Sequence, residues 1–167
     1  MVTEEQDELG KEVMARYGRA MYKAQVLEHE IVNLFVVARI RREYSGTPVD
    51  TDKMWDDEFR KTLGAVVKQL KACLDIPDLH VRLETAVRCR NRLVHRFFRE
   101  HAASLLSVPG KKQMIEELNK MSDYFQELDA LLTPRTLSIL RKLGATDELI
   151  DATWREVLAE EEMYTSE

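Results

Sequence analysis

The chain has 167 residues, 44% of them hydrophobic, with a formal net charge of −5, so it suits one substantial core and lacks the overall positive charge of a general polyanion binder. No apolar run approaches membrane-spanning length, and the opening Thr3-Glu4-Glu5 lacks the basic and apolar regions of a signal peptide; a cytoplasmic protein with no membrane partner is expected. Cys73 and Cys89 have no metal-like spacing and are expected to be buried small hydrophobes in a reducing compartment, with no metal site and no cofactor.

From Val13 the apolar residues run Tyr17, Ala20, Ala24, Leu27, Ile31, Leu34 and Ala38, the four-three spacing of one helix face. Thr3 with Gln6 forms a candidate capping box, and Ser45-Gly46-Thr47-Pro48 is a stop signal, so the first helix is expected to end near Tyr44. Trp55, Phe59, Leu63, Val66, Leu70 and Leu74 predict a second helix that starts at Asp50 to Asp52. Pro77 suits the first turn of a third, whose stripe reads Leu79, Leu83, Ala86, Arg90, Leu93, Val94 and Phe97.

A fourth helix is expected after Pro109-Gly110, carrying Met114, Leu118, Met121, Phe125, Leu128 and Leu132 to a stop at Thr133-Pro134. A short segment with Leu137, Leu140 and Leu143 ends at Gly144, and Thr146 can cap a last helix through Leu149, Trp154, Val157 and Leu158. Nothing reads as a strand pair. The expected fold is all-α, an antiparallel up-down bundle of about four long helices plus a short C-terminal helical extension. It forms a single domain over 1–167, with a core at about 13–133 and the extension at 134–167. The last twenty-two residues hold eight acids against Arg155 alone, the composition of a solvated face.

Function concentrates in Arg90-Asn91-Arg92-Leu93-Val94-His95. Arg offers a fixed fork of donors that matches phosphate, Asn both donor and acceptor, and His a proton exchangeable near neutral pH. Four residues apart, Asn91 and His95 share a helix edge, with Arg90 one step aside, so the three can converge on one anion. The stretch from His80 to His101 holds six arginines, at 82, 88, 90, 92, 96 and 99, no lysine, and only Glu84 and Glu100 as acids. A basic island in an acidic chain marks a local site. An Arg in an apolar stripe needs a partner or water, and without a ligand Glu28 or Glu30 of the first helix would be that partner.

With Arg96-Phe97-Phe98 following, this segment resembles the Arg-Asn-x-x-x-His signature of the HEPN superfamily, helical bundles that include many prokaryotic toxin and defence ribonucleases. The resemblance extends over the helix order from Tyr17 to Leu132. It implies metal-independent RNA cleavage, with Arg90 holding the phosphate, His95 transferring protons, Asn91 orienting substrate or His95, and Arg92, Arg96 and Arg99 guiding the RNA. It further implies a homodimer with a composite site at the two-fold interface; Val87, Val94 and Phe98, which widen the apolar arc beside Asn91 and His95, suit such a contact. An antitoxin is an implied partner. One toxin subgroup carries Tyr two places after the His, where a nucleotidyltransferase modifies it; Phe97 stands there, which excludes that modification. The alternatives are a non-catalytic HEPN-like module that binds nucleotide, RNA or protein, and an oligomerisation domain in which Arg90 and His95 bond at an interface.

Overall fold

The computed structural model describes residues 4–43 and 50–164, with side chains described throughout these except at 52, 154 and 157–164. The Thr3 cap, the 45–48 stop and the stripe positions Trp154, Val157 and Leu158 lie outside the described residues or side chains. Those described form an all-α bundle of long helices packed on one another, as the sequence predicts. None of their helices is long and apolar enough to cross a membrane.

The first helix, α1 (Glu4–Glu43), buries Val13, Ala20, Ala24, Leu27, Ile31, Leu34 and Ala38. Acids in its first turn and Arg41 and Arg42 in its last complement the helix dipole. Between Ile31 and Ala38 every residue except Asn33 is buried, because here the helix is surrounded by its neighbours.

The predicted second helix is two, α2 (Thr51–Phe59) and α3 (Leu63–Cys73). Apolar spacing runs unbroken across the gap and could not reveal it. Thr62 takes an extended conformation and its hydroxyl accepts the Ala65 amide, which caps a new helix. Glu58, wholly buried, is held by Arg39 Nη1 at 3.3 Å and Lys61 Nζ at 2.6 Å. Phe59, expected in the core, is instead exposed.

Helix α4 (Pro77–His95) begins at its proline and ends earlier than predicted, since Arg96 leaves helical geometry before the single turn α5 (Phe97–Glu100). Leu79, Leu83, Ala86 and Leu93 are buried on α4, and Phe97 of α5 fills the core beside Tyr17. A 3₁₀ turn at Ser104–Leu106 leads to α6 (Val108–Lys142), where the Ser107 hydroxyl accepts the Gly110 amide and Pro109 occupies the first turn.

Two corrections concern α6. It starts at Val108, before Pro109-Gly110, and it runs through Pro134 rather than stopping there. Its buried positions keep the four-three alternation from Lys111 to Leu132, then step four to Thr136 and three to Ile139, a stutter that coincides with Pro134. Burial of Thr136 and Ile139, with the Thr136 hydroxyl donating to Glu30 Oε1 at 2.5 Å, offsets the missing proline N–H. The segment with Leu137, Leu140 and Leu143 therefore belongs mainly to α6, and Gly144, at φ 98°, closes it. Thr146 caps α7 (Asp147–Tyr164) as expected, accepting the Leu149 amide.

Side-chain contacts fix the directions. Lys112 pairs with Glu5, Lys111 Nζ donates to the Gln6 carbonyl, and Thr136 meets Glu30, so α1 and α6 run side by side in the same direction. Helix α4 is antiparallel to both: Arg90 meets Glu28 while Tyr17 bonds the Leu93 carbonyl, and Tyr124 bonds the Arg82 carbonyl while Arg92 meets Glu117. Trp55 meets Asn33 and Phe59 meets His29, so α2 runs back along α1, while the Ala72 carbonyl near the end of α3 meets Arg42; this extra reversal at residues 60–62 departs from strict up-down alternation and lets α1 and α6 run together. Cys73 and Cys89 are half-buried free thiols, and partial burial pushes both pKa values up.

Candidate functional site

The last two turns of α4 face the junction between α2 and α3 across an open cleft of about 1130 Å³, with Glu28 of α1 also on its lining. Arg90, Asn91 and His95 all line it. Three side chains that are close in sequence thus open onto one space, as their helical spacing predicts. Asn91 and His95 are exposed and Arg90 is half-buried.

Arg90 is held from two sides. Its Nη2 donates to Glu28 Oε2 at 3.2 Å and its Nη1 to Asn91 Oδ1 at 3.3 Å. Of the two carboxylates expected as partners, Glu28 is the one that meets it; Glu30 is engaged by Thr136, and burial pushes its pKa up. A guanidinium carries five donors, so these contacts fix the plane of Arg90 without exhausting it. His95 makes no hydrogen bond or ion pair to another described residue, which leaves both ring nitrogens available to a ligand.

The predicted guides separate into three cases. Arg96 lines the cleft, exposed and without an ion pair among the described residues. Arg92 lines it too, but its guanidinium is bound by Glu117 and by Glu100 at 2.6 Å, and the Glu117 hydrogen bond, then that of Glu100, holds its pKa up. Such a doubly paired arginine has little charge left for a phosphate. Arg99 does not line the cleft. Arg88 does, with its Nη2 donating to the Thr85 hydroxyl at 2.8 Å.

The opposite wall escaped the motif reading. Phe59, Lys61, Thr62, Leu63 and Gly64 reach the cleft because the chain breaks its helix there. The one sequence signal was Thr62, an exposed helix cap set within an apparently continuous apolar period. Lys61 adds a cation twenty-nine residues before Arg90, although its Nζ also serves Glu58. Beyond Gly64 and Arg88 the cleft adjoins a smaller groove, of about 490 Å³, between α3 and α4.

No protein-family model matches the chain, and neither the curated proteins nor the solved structures contain a match. The site therefore stands on its geometry. Five cations line the cleft beside the carboxylate of Glu28; with Arg92 held by Glu100 and Glu117 and Lys61 by Glu58, the capacity for an anionic ligand rests on Arg88, Arg90 and Arg96, whose forked donors suit phosphate. The arc of Val87, Val94 and Phe98 is half-buried, with Phe98 packed on Tyr17 at 4.7 Å between ring centroids.

Proposed function

We propose that the protein is a metal-independent endoribonuclease of HEPN type, with Arg90, Asn91 and His95 at its centre. The observation that carries the proposal is that these three open together onto one basic cleft, with Arg90 already oriented and His95 unengaged. In this reading Arg90 clamps the scissile phosphate and stabilises charge as it develops. His95 accepts the proton of the ribose 2′-hydroxyl, whose oxygen attacks the adjacent phosphorus as the 5′-oxygen leaves and takes a proton from water, and His95 then returns its own proton to solvent. The products are a 2′,3′-cyclic phosphate and a 5′-hydroxyl. Asn91 holds Arg90 through its carbonyl oxygen and keeps its amide donors for substrate. A homodimer that closes the cleft over the RNA belongs to the same proposal, as does a toxin or defence role with an antitoxin partner.

The test is incubation of mixed cellular RNA with the protein in EDTA, beside His95→Ala and Arg90→Ala. Cleavage by the wild type alone, leaving cyclic phosphate ends, supports the proposal; no cleavage of RNA by any form overturns it. A specific observation favours a second reading, a non-catalytic module that binds nucleotide or RNA. Arg90 is paired with Glu28, so a phosphate must share it with a carboxylate, and that weakens a clamp more than it weakens a binding site with several other cations.

A further inference from the structure

Phe59 is a large apolar side chain left 41% exposed, on the wall of a cleft whose charged groups are mainly cationic. Its position in the apolar period would have buried it in an unbroken helix; the break after α2 turns it out instead. One side of its ring is packed against His29, with centroids 4.7 Å apart. That contact steadies the ring while much of it remains open to solvent.

We infer that Phe59 is a stacking platform for a nucleobase, and that the occupant of the cleft is a single-stranded nucleotide chain whose phosphates lie on Arg88, Arg90 and Arg96. The inference rests on the anion-binding part of the proposed function and adds a recognition element to it. Arginines alone would serve any polyanion. An exposed aromatic ring among them adds a flat apolar surface that a base can cover and a bare phosphate cannot, the combination that single-strand binding uses. Stacking accepts any base, so the site reads strandedness more than sequence. A duplex keeps its bases stacked on one another and would leave Phe59 uncovered.

The probe is a short fluorescent single-stranded oligoribonucleotide with 2′-O-methyl riboses, which cannot be cleaved, beside an abasic strand of equal length. Binding is followed by anisotropy for the wild type, Phe59→Ala and Phe59→Trp, with circular dichroism to check folding. The wild type should prefer the base-bearing strand. Phe59→Ala should weaken that strand roughly five- to a hundredfold and leave the abasic strand unchanged, while Phe59→Trp restores it. Equal binding of both strands by the wild type, or equal loss on both in Phe59→Ala, overturns the platform and leaves the basic cleft standing. Failure of the wild type to bind either strand overturns the anion-binding reading with it. A dimer that Phe59→Ala dissociates would assign the ring to a second copy of the chain and also overturns the inference. Base-dependent binding of this probe by a protein that cleaves no cellular RNA in the EDTA assay supports the platform while refuting the ribonuclease.

Discussion

Replacing Gly110 by Ala sets helix propensity against packing. At a solvent-facing helical position, Gly→Ala is worth about 0.5–1 kcal/mol of added stability. Gly10 and Gly18 of α1 are such positions, since a methyl group added at either meets nothing within 4 Å. At Gly110, in the first turn of α6, the same methyl would lie 2.3 Å from the Ser104 carbonyl oxygen, 2.6 Å from its Cα and 2.8 Å from its carbonyl carbon. All three are backbone atoms of the 3₁₀ turn. To restore even a 3.0 Å approach the oxygen must retreat by about 0.7 Å, the difference between 3.0 and 2.3 Å. That turn is tied to His101 through the Leu105 amide, so it cannot move alone. Overpacking of this kind costs about 1–3 kcal/mol. The propensity gain is common to the three sites, so Gly110→Ala should fall about 1–3 kcal/mol below Gly10→Ala and Gly18→Ala. Urea unfolding followed by circular dichroism measures the differences. A Gly110→Ala protein as stable as Gly18→Ala would refute the close approach of the turn to α6.

Arg90→Ala should abolish activity at least as completely as His95→Ala while costing no more than about 1 kcal/mol of stability, because its pair with Glu28 remains partly solvated. Leu83→Ala, at a fully buried position, should cost about 2–5 kcal/mol in the same unfolding assay, and an Arg90→Ala loss of that size would make Arg90 a structural residue. The 2′-deoxy analogue of a cleaved site should be inert, and cleavage of it would exclude attack by the ribose hydroxyl. Burial, reinforced by nearby Asp129, raises the Glu30 pKa above its ordinary 4.5, so the folded state holds that proton more tightly than the unfolded one. Stability from this group is therefore fully present below pH 4.5 and is lost as pH rises through the raised folded value. Glu30→Gln, which keeps an acceptor for Thr136, should flatten the fall in a pH series of unfolding midpoints; an unchanged slope would refute the assignment.

The residue order alone carries the helical class, the buried face of α1, most of that of α6, and the shared orientation of Arg90, Asn91 and His95, because each follows from periodicity within one helix. It also carries the caps at Thr146 and Gly144, which depend on local hydrogen bonding and backbone freedom. Where two local signals compete, packing between helices sets where a helix stops. Pro134 reads as a terminus, yet α6 passes through it because Leu132, Thr136 and Ile139 are buried and Thr136 bonds Glu30. The apolar period from Trp55 to Leu74 reads as one helix, yet it breaks where Thr62 starts a new one and Glu58 is buried between Arg39 and Lys61. That break brings Phe59 and Lys61 to the motif, a placement that no spacing within α4 could reveal. The partners of the arginines were likewise set by three-dimensional proximity: Arg92 meets Glu117 across two helices while Arg96, four residues on, stays unpaired among the described residues, since charge pairing is decided by distance in space rather than by position along the chain.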